Sequence, residues 1–210
     1  MLSHIRDVLL PSNVNVVMTG RMLLLRPISK NELTREYLAW LNDPVINQYM
    51  SVRHRPQTFD TVAQYINALR CKPGCELLAI FFKKNHCHIG GLSLIEYDID
   101  NGIASYGLMI GDHRAYQCGC GAEATLLYLT YIFADPKIRR VYVTVISSNR
   151  RAQQLIEEVG FQKEGVLRQH SVLASGEICD FYYYGMLKEE WGRYQDSFSD
   201  ILKTARYEKF

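Results

Sequence analysis

Apolar residues change their spacing several times along the chain, and each change marks an element. Met22-Leu-Leu-Leu-Arg26-Pro27 is an apolar run ended by proline, which reads as a strand. From Glu32 to Leu41 the period lengthens: Leu33, Tyr37 and Trp40 or Leu41 fall on one side of a helix, and Asn42-Asp43-Pro44 stops it. Thr58 to Leu69 repeats that pattern with Val62, Tyr65, Ile66 and Leu69, and Thr58 is placed to cap it. Three short apolar runs follow, Leu77–Phe82, Ile89–Ile95 and Ile103–Ile110. They are joined by the polar turns Lys83-Lys-Asn-His86 and Asp98–Gly102. The apolar stretch Ala122–Phe133 is long enough for a buried helix. A strand over Val141–Ile146 and a short helix closed by Val159-Gly160-Phe161 come after it.

Consecutive strands with short turns predict an antiparallel meander, whereas strand–helix–strand over 103–146 predicts one parallel crossover. The expected class is therefore α/β (α+β), with a mixed, mostly antiparallel sheet flanked by helices. A sheet of this kind opens a cleft where the two patterns meet. No repeat or linker divides the 210 residues, so one domain over 1–210 is expected. Its core runs from about 20 to 191, after an N-terminal extension (1–20) and before a helical tail (192–210).

Composition narrows the class. Hydrophobic residues make up 48% of the chain, ample for a sizeable core, and the net charge is +2. A nucleic-acid binder would need a clustered basic face, and the pairs Arg139-Arg140 and Arg150-Arg151 read as solvated surface. No run approaches a membrane span. The N-terminal apolar stretch contains Asp7 and has no signal-peptide core, so a cytoplasmic protein is expected, without nucleic-acid or membrane partners. Six cysteines form no disulfide framework. Cys71-x3-Cys75 with His86 and His88 is the one arrangement that could hold zinc. Its spacing is not standard and Pro73-Gly74 interrupts it, so no metal is expected.

The densest chemistry lies between Ile110 and Ala122. Here Gly119 and Gly121 sit two apart, after a strand and at the mouth of a helix. Such a turn leaves several N–H groups unpaired at the positive end of the helix dipole, which suits a phosphate or pyrophosphate. Tyr116-Gln-Cys-Gly119-Cys-Gly121 is similar to the Arg/Gln-x-x-Gly-x-Gly/Ala loop of the GNAT acetyltransferases, departing at its first position. Glu123-Ala124, Asn149-x-x-Ala152 and Val159-Gly160-Phe161 follow in the family's order. Glu164–Arg168 and Asp180–Met186 resemble the last two strands of its RimJ/RimL-like branch. The resemblance runs from about Met22 to about Trp191.

The resemblance implies a splayed GNAT-like sheet and acetyl-CoA as cosubstrate. The pyrophosphate would take N–H groups from Gln117, Cys118, Gly119, Cys120, Gly121 and Ala122. The pantetheine arm and thioester carbonyl would meet the backbone of Leu108, Met109 and Ile110. Asn149 would reach the pantetheine arm or a water near the amine. One of the arginine pairs could help hold the phosphates. Two residues that many members use are replaced: Ile156 stands where a tyrosine would protonate the CoA thiolate, and Ser105 where a glutamate would be the base. Glu96, near the end of the preceding strand, is one candidate for the replacement base, and Asn149 could hold a water there. Glu123 is a poorer one, because the helix dipole stabilises its charge.

For the acceptor, the resemblance points to Trp40, Tyr49, Arg53, Arg55 and Tyr106. Two arginines suit the diphosphate of an amino-sugar nucleotide. The expected reaction is direct acetyl transfer to a primary amine of such a small acceptor. The alternatives are a protein N-terminal (ribosomal-protein-type) acetyltransferase and a catalytically silent CoA-binding module. A homodimer is compatible with the resemblance.

Overall fold

The computed structural model describes residues 9, 12, 14–116, 118–198 and 206–209, the last four as backbone. Among these residues nine strands form one sheet. They are β1 (Val16–Thr19), β2 (Leu23–Pro27), β3 (Glu76–Phe82), β4 (His88–Asp98), β5 (Ile103–Ile110), β6 (Arg140–Ile146), β7 (Gln162–Val172), β8 (Ile178–Leu187) and β9 (Arg206–Lys209). Their order in the sheet is β7-β8-β6-β5-β4-β3-β2-β1-β9. Every neighbouring pair is antiparallel except β5–β6, the crossover anticipated from the sequence.

Helices cover both faces. On one face lie α1 (Arg35–Asn42), the single turn α2 (Pro44–Asn47) and α3 (Phe59–Arg70). The residues Leu33, Tyr37, Trp40, Val62, Ile66 and Leu69 pack there with Leu77, Ala79, Phe81 and Met109 of the sheet. The helical spacing of those side chains is what turns them all inward. Thr58 caps α3 as its sequence suggested, in a reciprocal capping box with Thr61. The opposite face carries α4 (Cys120–Phe133) and α5 (Arg150–Val159), with α6 (Lys188–Tyr194) near the end of the chain. Leu126, Leu127, Leu129 and Ile132 of α4 pack there on Leu92, Ala104, Tyr106, Val141 and Val143. No helix among the described residues is long and apolar enough to cross a membrane.

The chain ends differ from expectation. Val16 and Met18 of β1 are fully buried, so the core begins inside the stretch read as an extension. The tail expected to be helical continues as a 3-10 turn over Gln195–Phe198 and ends in β9, which pairs with β1. A four-residue strand at a sheet edge carries too short a pattern to be distinguished from a polar tail.

Candidate active site

The two parallel strands pair only at Ile103–Ser105 and Arg140–Tyr142. Beyond those residues β5 and β6 diverge, and a wedge opens between Tyr106–Ile110 on one side and Val143–Ile146 on the other. The hydrogen-bond register on β4 decides which amides face it. Gly111 N–H donates to the Ile89 carbonyl (2.9 Å), so Ile110–Gly90 is a non-hydrogen-bonded pair and Met109–Gly91 a hydrogen-bonded one. The N–H and C=O groups of Leu108 and Ile110 therefore point into the wedge. Those of Met109 turn to β4, so of the three backbone contacts expected on this strand Met109 is the one to remove. Its side chain packs under α1 and α3.

At the mouth of the wedge stands the glycine turn. Gly119 has φ +77°, a left-handed conformation that glycine adopts without strain, and it is the N-cap of α4. Its carbonyl accepts from Glu123 N–H (3.0 Å), leaving the amides of Cys120, Gly121 and Ala122 as the open first donors of the helix. Gly121 lies beside Leu108 and Leu155, so this end of α4 rests directly over the β5 side of the wedge. Cys118 is exposed and Cys120 buried, and burial pushes the Cys120 thiol up to about 11. The Arg151 guanidinium stacks over the Tyr116 ring at 4.7 Å, which brings one of the two arginine pairs beside the turn. Arg139 and Arg140 are held elsewhere, by the Asn101 carbonyl and by Glu164. Gln117 lies outside the described residues.

The closed end of the wedge carries a polar cluster. A bulge at Ile95 places Glu96 opposite Ser105, on the last stretch where β5 and β6 pair. The phenol of Tyr142 donates to Glu96 Oε2 at 2.5 Å, and the Ser105 hydroxyl reaches the same phenol. Burial first, then the bond to Glu96, raises Tyr142 to about 12, so the phenol is a proton donor at neutral pH. Tyr183 stacks on its ring.

Residues 22–162 match the family described as the acetyltransferase (GNAT) domain. The chain belongs to this family. An uncharacterized N-acetyltransferase, p20 of Bacillus licheniformis, is 28% identical over 153 residues, covering 71% of this chain and 84% of that protein. YdaF of Bacillus subtilis (strain 168), named for ribosomal N-acetyltransfer, is 32% identical over 102 residues, 49% of this chain and 55% of its own. Among solved structures, spermidine N-acetyltransferase from Vibrio cholerae, in complex with CoA and spermine, superposes with a TM-score of 0.70. It is 22% identical over 81% of this chain and 98% of its own, a likeness of fold.

As a GNAT acetyltransferase the protein transfers an acetyl group to an amine. Acetyl-CoA fits what the chain offers: an amide nest at the mouth of a wedge, and strand edges free along its β5 side. Asn149 caps α5, its Oδ1 accepting from Ala152 N–H (3.1 Å). Its Nδ2 has no partner among the described residues and remains able to donate. Ile156 is buried in the α4–α5 core, so no proton donor stands at that position.

On the acceptor side the structure revises most of the expected residues. Tyr106 belongs to the opposite face: its ring packs on Tyr128 of α4, and its hydroxyl lies 3.3 Å from Thr125 Oγ1. Alternation along β5 forces this, since Ala104, Tyr106 and Leu108 share the α4 side. Trp40 is a core residue of α1, its indole against Gly111 and edge-on to His88. Tyr49 is half-buried and donates to the Ser148 carbonyl (3.2 Å), tying the segment after α2 to the turn before Asn149.

Arg53 is fixed by its own chain. Its Nε and Nη2 donate to the Val172 carbonyl (3.0 and 2.8 Å), Nη2 to Ser171 Oγ (2.6 Å) and Nη1 to the Met50 carbonyl (2.7 Å). It is a staple from the 3-10 turn Ser51–His54 to β7 and is not poised for a phosphate. Arg55 is exposed and makes no side-chain bond among the described residues. Glu123, the poorer candidate base, is buried, and its Oε1 accepts from Met22 N–H (2.7 Å) and Leu23 N–H (3.1 Å). Cys75 donates to the Ile95 carbonyl, whereas His88 lies in a cage of Tyr37, Trp40 and Phe81. No three potential metal ligands converge among the described residues.

Tyr142 is the site residue that the sequence reading missed. Its signal was the alternation Val141, Tyr142, Val143, Thr144, Val145, which puts Tyr142 and Thr144 on the face away from α4.

Proposed function

We propose that the chain acetylates a primary amine on a small acceptor that enters from the α1/α3 face and meets the thioester at the closed end of the wedge. The observation that carries this reading is the wedge itself. Its mouth holds unpaired amides suited to pyrophosphate, its β5 side offers the Leu108 and Ile110 amides to pantetheine, and its closed end presents a carboxylate. Holding amine and thioester together there supplies up to roughly 7–11 kcal/mol of barrier reduction.

The acceptor divides into two classes. A diphosphate-linked amino sugar is supported by Arg55, now without Arg53. An acceptor whose own charge is its ammonium, such as a polyamine or a protein N-terminus, is supported by Glu96 and by the aromatic surface of Tyr142 and Tyr183. The relative named for ribosomal acetyltransfer and the polyamine-acetylating fold neighbour agree with the second class. The charges around the wedge favour it. Release of CoA thiol from acetyl-CoA, measured with UDP-linked amino sugars, spermidine and alanine- or serine-starting peptides, separates them. Turnover on polyamine or peptide supports this choice; turnover confined to the amino-sugar nucleotide restores the other.

A further inference from the structure

The two proton-handling residues used by many family members are replaced by Ser105 and Ile156, yet a carboxylate and a phenol still meet beside Ser105. We propose that Glu96 of β4 is the proton acceptor of this enzyme, and that Tyr142 of β6 is the positioning residue that holds its carboxylate toward the wedge. This rests on the acetyl-transfer reading of the same site.

The geometry supports the assignment at three points. Glu96 lies in register with Ser105, so its Cβ occupies the neighbouring-strand position on the same face as a side chain from 105. The Ile95 bulge is what brings it there, since an extra residue in one strand re-aims the side chains that follow. That face is the α1/α3 side: Tyr65 of α3 donates to Ser93 of β4, two pairs away at Gly107. The acceptor would thus approach from the side on which the carboxylate stands. Tyr142 ends the β5–β6 pairing, so its phenol anchors Glu96 where the wedge begins. Tyr142 and, at longer range, Cys75 and Tyr128 are the titratable groups that interact with this carboxylate.

The step balances. The acceptor ammonium gives one proton to Glu96, and the freed lone pair forms the C–N bond as the thioester carbonyl becomes tetrahedral. The C–S bond then breaks with its electron pair going to sulfur. A second proton leaves nitrogen for the thiolate, giving amide and CoA thiol, and Glu96 returns its proton to solvent.

The test compares pH–rate profiles of wild type, Glu96→Gln and Tyr142→Phe with the best acceptor from the panel, with CoA affinity by calorimetry as the check on folding. Glu96→Gln should lower kcat at pH 7 by about 10²–10³ with the acetyl-CoA KM unchanged. The loss should shrink as pH approaches the pKa of the amine, where no base is needed. Tyr142→Phe frees the carboxylate from its anchor and should lower kcat about tenfold with the acetyl-CoA KM unchanged, yet cost nothing further when made in the Glu96→Gln background. A structural defect would lower the rate by the same factor in both backgrounds. Should Glu96→Gln fail to bind CoA, Glu96→Asp keeps the charge but retracts it, and should lose rate while retaining activity at pH 7. Full activity of Glu96→Gln at pH 7, or a full further loss from Tyr142→Phe in the Glu96→Gln background, overturns the assignment. A wild type that releases no CoA with any amine would instead overturn the underlying reading.

Discussion

Glu123 separates a structural from a catalytic carboxylate at the head of α4. Its side chain is buried and its Oε1 is the acceptor for two backbone N–H groups, Met22 in the turn before β2 and Leu23 at the start of β2. Glu123→Ala leaves both donors without a partner. The Leu23 donor is buried and the Met22 donor half-buried, so the loss should be about 1–3 kcal/mol for Leu23 and less for Met22. That is a large share of a domain stability on the order of 5–15 kcal/mol. Glu123→Gln keeps an acceptor oxygen in the same place. It also removes a charge whose second oxygen, Oε2, is buried without a partner, so its cost should stay within about 1 kcal/mol. Urea unfolding of the three proteins measures the stabilities, and CoA release measures activity. The structure predicts a marked fall in midpoint for alanine, a small change for glutamine, and near-native turnover for glutamine. A midpoint for Glu123→Ala close to wild type would refute the anchoring role. A loss of about 10² or more in kcat for a stable Glu123→Gln would make Glu123 a proton carrier after all.

Two further outcomes are expected. Arg53→Ala should lower stability by roughly 1.5–3 kcal/mol, the range for hydrogen bonds to a charged group, and leave a diphosphate acceptor no special penalty; a raised KM confined to phosphate-bearing acceptors, with unchanged stability, would contradict the staple. His88 is held below its usual 6.5 by burial among Tyr37, Trp40 and Phe81. Below about 6.5 the unfolded chain takes up that proton more readily, so stability should fall as pH drops from there and stay flat above it with respect to this group. Thermal unfolding between pH 7.5 and 5 should show that slope in wild type and a shallower one in His88→Phe; equal slopes would contradict it.

Much of this arrangement was legible in the chain because it is local. The strand Ile103–Ile110, the Gly119 turn and the Thr58 cap each announce themselves by period or by a residue suited to one backbone geometry. The wedge was legible only as topology, since a meander followed by one parallel crossover must split somewhere. What stayed hidden depends on pairing across distant strands. Glu96 and Tyr142 are 46 positions apart, and their contact exists because a bulge re-aims one and the end of the β5–β6 ladder fixes the other. Arg53 reached Ser171 and Val172 by the same kind of long-range closure, which no spacing rule exposes. Tyr106 sits on the α4 face for a simpler reason, the alternation along β5 that it shares with Ala104 and Leu108.

The placement of CoA in the wedge is tested most directly by amide hydrogen exchange, residue by residue, with and without CoA. Leu108 and Ile110 carry amides that face the wedge, and Cys120, Gly121 and Ala122 carry open helix-start amides, so all five should be protected on binding. Met109 lies between two of them but is already bonded to Gly91, and its exchange should change little. That alternation along β5 is the expected signature. Protection of Met109 in place of its neighbours, or no protection at α4, would contradict the site described above.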